Sequence, residues 1–212
     1  GPDSDATAGT AGLGGGGGGA GATPPPGAPP GTQGANGGSG TVVVRYKIAN
    51  LTATQKATGG AISYYGGKTI HVFTHSGTFA TTSDWSAATV EYVVIAGGGA
   101  GGVSDNGGGG GAGGYRTGTT PIGAHPVSTT IQVGAGAADQ QVRTTAGTNG
   151  TPSYFGTPIT AAGGGGGGAR PSQVNGSAGG SGGGGGWPGG TGGAGNTPPT
   201  SPSQGNPGGN AQ

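Results

Sequence analysis

The sequence has no cysteine and no methionine, and charged residues make up only 6% of its 212 positions. Without cysteine there is no disulfide pattern from which a redox compartment could be read. The seven Lys and Arg are scattered and the net charge is +1, which excludes a nucleic-acid surface, where affinity comes from clustered cations. No apolar run approaches the ~20 residues of a membrane-spanning helix, and no signal peptide is visible. No segment reads as a helix. Hydrophobic residues are 28%, much of that alanine, enough for a small core and too few for a conventional one of this length.

Glycine is what fills the chain: 62 glycines and 16 prolines take more than a third of it. Such a composition without a strict repeat ordinarily signals disorder. Collagen is excluded because no Gly-X-Y register survives. Strand signals stand between the glycine runs: "TVVVRYKI" (41–48), "TIHVFTH" (69–75) followed by "GTFATT", "ATVEYVVIA" (88–96), "TTIQVGA" (129–135), and more weakly "SYFGTPITAA" (153–162). Alternation puts Val42, Val44 and Tyr46 on one face of the first, and Ile70, Val72 and Thr74 on one face of the second. The expected fold class is all-β and helix-poor, a small antiparallel sheet or sandwich.

Glycine runs lie at 14–21, 97–102, 107–114, 163–168 and 179–195. One run alone would be a flexible linker. Several of similar length suit a bundle of extended threefold helices of the polyglycine II type, which make no internal hydrogen bonds. Their backbone groups must bond to neighbours, and glycine lets the backbones approach. Six glycines would make a strut about 19 Å long. Because glycine loses the most entropy on ordering, the sheet and the aromatic residues are expected to anchor the bundle. The expected organisation is 1–48 as the closing part of a repeat unit, 49–58 as a connector, 59–96 as a strand region, and 97–212 as the glycine-rich region with interspersed strands and loops.

"VEYVVIAGGGAGG" (90–102) matches a dinucleotide-binding fingerprint, but that fingerprint needs a helix opening at its glycines. The following "VSDNGGGGGAGGYR" cannot form one. No nucleotide is expected, and no cofactor. His71 and His75 are spaced for a metal on a helix; on a strand they stand ~13 Å apart, and both are expected at the strand surface. Asp3 and Asp5 lack a calcium-loop context, and no Ser/His/Asp order supports nucleophilic catalysis. The chain is expected not to be an enzyme. The sequons at Asn50, Asn149 and Asn175 are expected from composition alone.

"ATGGAISYYGGKTIHVFTHSGTF", "VEYVVIAGGGAGG", "GGGGGAGGYR", "IQVGAGA" and "NGTPSYFGTPITAAGGGGGG" together resemble the glycine-rich domain of phage tail-fibre and adhesin proteins. The resemblance runs from about Ala57 to the C-terminus. It implies a polyglycine II bundle with receptor-binding loops at one end, and an extracellular place on a filament or a virion fibre. The closing piece, 37–48, which ends a unit in that family, comes first here. The chain therefore resembles one period of a tandem array, or a subunit whose strand (Val42, Val43, Val44, Arg45, Tyr46) pairs with a neighbouring copy. An expression fragment is the plainer alternative.

The partners implied are further copies of the chain, and a host-cell surface glycan or protein. Candidate binding loops are 103–106, 115–126, 137–149 and 169–177. Their candidate side chains are Tyr115, Arg116, Arg143, Arg170 and Trp187, since aromatics and arginine anchor interfaces. The ordinary readings are a cap on the glycine bundle for Tyr115 and Trp187, favoured for Trp187, and solvated charge for the arginines. Two functions stand open: a rigid, non-enzymatic structural or adhesive unit of an extracellular fibre, and a receptor-binding adhesin with specificity in its loops.

Overall fold

A computed structural model describes residues 6–21, 33–47, 55–87, 89–103, 106–140, 144–171 and 173–212. The described residues contain no helix. The strands are β1 (Thr41–Lys47), β2 (Ala57–Thr58), β3 (Ala61–Tyr65), β4 (Lys68–Phe73), β5 (Gly77–Thr81), β6 (Thr89–Ile95), β7 (Tyr115–Pro121), β8 (Ser128–Gln132), β9 (Ser153–Phe155) and β10 (Ile159–Ala161). They form two antiparallel sheets, ordered β3-β4-β1-β6-β7 and β10-β9-β8-β5-β2. The fold is all-β.

β1 is the centre of the first sheet. It is β-branched along most of its length, and it pairs with β4 on one side and β6 on the other within its own chain. Val42, Val44 and Tyr46 face inward and are buried. They meet Phe73, Phe79, Trp85, Val90, Val94, Ile131 and Phe155 in one core. Phe79 is its hub, with edge contacts to Tyr46, His71, Trp85 and Phe155 at ring-centroid distances of 5.2–6.3 Å, the geometry the ring quadrupole favours.

β3 and β4 form a hairpin turned by Gly66 and Gly67 at φ of 56° and 70°, where the primed turn of a tight hairpin requires positive φ at both positions. β3 is a strand that the sequence signals did not mark.

In β4 the faces run opposite to what hydrophobicity suggests. The pairing Val44↔His71 turns Thr69, His71 and Phe73 inward, and leaves Ile70 and Val72 half-exposed outside. His71, expected at the strand surface, is fully buried. Its Nδ1 donates to the Gly59 carbonyl at 2.7 Å and its Nε2 lies 3.2 Å from the Tyr46 hydroxyl. Two polar partners make the burial tolerable.

Burial pushes the His71 pKa below its ordinary 6.5, opposed by the Gly59 carbonyl. The folded state therefore prefers the neutral ring, and the unfolded state binds the extra proton first. The stabilisation is complete above pH ~6.5 and is lost as pH falls from there through the lower folded pKa. Tm should hold steady above neutral pH and fall on acidification, and His71→Gln should flatten that fall. Equal acid slopes in the two proteins would show that His71 is not responsible.

At one end of the sandwich the strands run straight into glycine-rich segments. β6, β8 and β10 continue into 96–103, 134–138 and 162–169, while β1, β7 and β9 are entered from 34–40, 107–114 and 144–151. Segments 6–10, 14–20, 174–179, 181–187, 190–196 and 204–211 join them in one hydrogen-bonded array. The N-terminal glycine run thus lies in the same array as those after residue 97.

Segment 97–103 shows the rule of the array. Gly97, Ala100 and Val103 donate to Thr151, Thr148 and Thr145; Gly98 and Gly101 to Gly38 and Ala35; Gly99 and Gly102 to Gly111 and Gly108, all at 2.8–3.1 Å. Its carbonyls accept from Gly164 and Gly167, from Gly17 and Ala20, and from Ala137. Every third residue returns to the same neighbour, and the chain is bonded all round. This period differs from the two of a strand, and it leaves the buried backbone paired as burial demands.

Side chains complete the array where backbone runs out. Asn149 Oδ1 accepts from Gly166 and Asn175 Oδ1 from Thr191, so two of the sequon asparagines act as substitute carbonyls. At the junction, Ser153 Oγ accepts from Gly134 and Gln204 Oε1 from Ala162, and both side chains are buried.

Candidate functional site

Two places concentrate side chains that could act on a partner. The first is the end of the array away from the sandwich. Segments 14–20, 96–103, 134–138, 162–169 and 181–187 all run outward from the strand end. Their outer ends, at Gly21, Val103, Ala137, Ala169 and Trp187, therefore lie at the same end of the array. Trp187 N donates to Asn106 O, and Asn106 N to Gly21 O, which ties three of these ends to one another. Trp187 is 51% exposed and Arg170 is exposed in the turn closed by the Ala169–Gln173 bridge. Arg143 lies outside the described residues, as do Asp3, Asp5 and Asn50.

Tyr115 and Arg116 are not at that end. The stretch 115–126 was expected as a loop, and its first part is instead strand β7, paired along its length with β6. The polar, threonine-rich sequence hides the strand because β7 is a sheet edge with exposed alternate residues. Gly118 sits mid-strand because the Tyr92 side chain uses its space: a Cβ there would meet the Tyr92 hydroxyl at 2.7 Å. Arg116 Nη1 donates to the Thr160 carbonyl at 3.2 Å, tying β7 to β10 across the two sheets. Its guanidinium thus helps to fasten the two sheets together.

The second place is the outer face of the first sheet. A groove of about 480 Å³ there is lined by Val43, Ile70, Val93, Tyr115, Thr117 and Thr119, with Arg45 and Glu91 at one end. Glu91 Oε2 accepts from Arg45 Nε and Oε1 from Lys68 Nζ, each at 2.5 Å. Lys68, and then Arg45, hold the Glu91 carboxyl below the usual carboxylate range. Of the residues expected to form an inter-unit strand, Val43 and Arg45 line this groove, while Val42, Val44 and Tyr46 are core. Sequence reading missed Glu91 and Lys68. They stand far apart along the chain, and only the register Arg45↔Glu91 and Arg45↔Ile70 brings them together.

Among the described residues, no three His, Asp or Glu side chains come together as metal ligands, and no helix is long and apolar enough to cross a membrane.

A family model described as a glycine-rich domain matches residues 73–212. No curated protein and no solved structure matches the chain.

Proposed function

The chain belongs to the glycine-rich domain family, and from that premise we propose that it is a non-enzymatic, rigid structural and adhesive unit of an extracellular fibre. The observation that carries this reading is the three-residue hydrogen-bond period of the array. We read it as a polyglycine II bundle, since an extended threefold helix directs successive backbone groups to different neighbours. Such a bundle is bonded sideways at nearly every residue. It resists bending and offers a protease little free backbone.

The proposed partners are neighbouring copies, joined in tandem or by exchange. β1 lies between two strands of its own chain, and 34–40 lies within the array. Exchange would therefore move β1 together with the segments 6–21 and 34–40.

A second reading is supported by the exposed Trp187 and Arg170 at the far end of the array. There the unit would be the receptor-binding part of a phage tail fibre, with specificity in 103–106, 137–149 and 169–177. Negative-stain electron microscopy of the native material separates the two. Filaments with a regular axial repeat support the structural unit. Discrete particles, with binding to one host strain that is lost when 169–177 is replaced, would sink it in favour of the receptor-binding reading.

A further inference from the structure

The groove on the outer face of the first sheet has a composition that rigidity does not explain. The whole chain carries seven basic and six acidic side chains, and Arg45, Lys68 and Glu91 meet here. A cross-strand ion pair is a common device for stabilising a sheet, and one cation would suffice for Glu91. The trio keeps a net positive charge. Arg45 bonds Glu91 through Nε alone, so among the described residues its terminal amino groups have no partner, and its side chain is 51% exposed. A second groove, of about 460 Å³ between the end of β7 and the strands β8, β9 and β10, has no charged lining residue.

The rest of the first groove is apolar floor and hydroxyl rim. Val43, Ile70 and Val93 make the floor, Thr117 and Thr119 stand along β7, and Tyr115 closes the end opposite Arg45. Tyr115 is 49% exposed, yet its backbone is held, its N–H donating to the Gln204 carbonyl at 2.8 Å. A ring presented from a fixed backbone binds at low entropic cost.

The chemistry of the occupant follows by elimination. An extended peptide lying in the groove would need backbone partners beneath it; those of β1 and β6 are already used within the sheet, and the outer edge of β7 points along the sheet plane, away from the floor. A nucleic acid needs more cations than a net positive trio provides. A second copy, face to face, would bury the same charged trio twice at a desolvation cost. A free inorganic anion would leave the apolar floor and Tyr115 unused. A sugar chain bearing carboxylates uses all of it: C–H faces on the aliphatic floor and the ring, hydroxyls toward threonine and Glu91, and a carboxylate for the planar fork of Arg45. At standard strand spacings Tyr115 and Arg45 are roughly 16 Å apart, backbone to backbone, which calls for an oligosaccharide rather than a single sugar.

We propose that the outer face of the sheet β3-β4-β1-β6-β7 is a binding site for an acidic oligosaccharide, with a carboxylate on Arg45 and a sugar face on Tyr115. This deepens the adhesive side of the function above, and it stands or falls separately from fibre assembly.

The test is amide chemical-shift mapping on the full chain with tetragalacturonate, and with maltotetraose as the neutral probe. Tetragalacturonate should give saturable shifts at Val43, Val93, Thr117, Gly118 and Thr119, and maltotetraose should bind at least about tenfold more weakly. Arg45→Gln should weaken tetragalacturonate at least about tenfold. Tyr115→Ala, which leaves the ion trio intact, should weaken it severalfold. Both variants should keep the parent Tm within a few degrees.

No saturable shift in the groove, equal affinity for the neutral probe, or full binding by folded Arg45→Gln each overturns the proposal. Concentration-dependent shifts at the same residues without ligand, with slower tumbling, would give the face to a second copy instead. Loss of filaments in microscopy with groove binding intact would refute the fibre and leave the site standing.

Discussion

Gly101→Ala is expected to destabilise the protein by about 3 kcal/mol or more, lowering Tm by roughly 6–12 °C for a chain of this size. The cause is space. A Cβ on Gly101 would fall inside the van der Waals envelope of the Gly18 carbonyl oxygen, which is backbone and cannot turn aside. Gly167 stands in the same relation to Gly108 O, and Gly166 to Gly147 O, so Gly167→Ala should match it.

The control lies in the same array. At Gly109 a Cβ would find its nearest neighbour at an ordinary 3.7 Å, so Gly109→Ala should shift Tm by no more than about 2 °C. Ala100, fully buried one residue before Gly101, already shows that a methyl fits at some places in the array and not at others. Thermal unfolding of the three variants decides it. Three equal shifts would mean that the glycines serve unfolded-chain flexibility and not close packing.

Phe79→Ala is expected to cost about 3–5 kcal/mol, or roughly 6–20 °C in Tm. The side chain is fully buried and touches four other aromatic rings, so its removal leaves a cavity that rigid rings fill poorly. Tyr64→Ala, at an exposed edge position, should stay within about 0.5 kcal/mol of the parent.

The sharper readout is hydrogen exchange. The strands lead directly into the array, and glycine is costly to order without them. Protection at Gly99, Gly111 and Gly165 should therefore fall together with that of β1 in Phe79→Ala. Array amides that stay protected while β1 exchanges freely would show that the bundle folds by itself.

The core face of β1 was readable directly, because Val42, Val44 and Tyr46 alternate on a strand buried on one side. β4 was not, because its apolar Ile70 and Val72 face outward and a histidine faces in. No rule of alternation says which face is the core; the pairing with β1 decides, and His71 is accepted because Gly59 and Tyr46 satisfy it. β7 was hidden for a similar reason. An edge strand can be threonine-rich and carry a mid-strand glycine when a neighbour's side chain, here Tyr92, occupies the missing volume. Trp187 and Arg170 were named from the sequence as loop side chains, with a cap on the glycine bundle favoured for Trp187, and both are exposed. The Arg45–Glu91–Lys68 trio was not, since it is made by cross-strand register.

By itself, the sequence determined the class of structure: helix-poor, with short strands rich in β-branched and aromatic residues, and glycine runs that cannot bond to themselves and so must bond to one another. Those are properties of local chemistry, fixed by what each residue's backbone and side chain permit. Only the tertiary structure decided which run lies beside which, which face of each strand is buried, and where the few charges meet. Those depend on pairing between segments far apart in the chain, where a shift of one residue would turn every side chain of a strand to the opposite face.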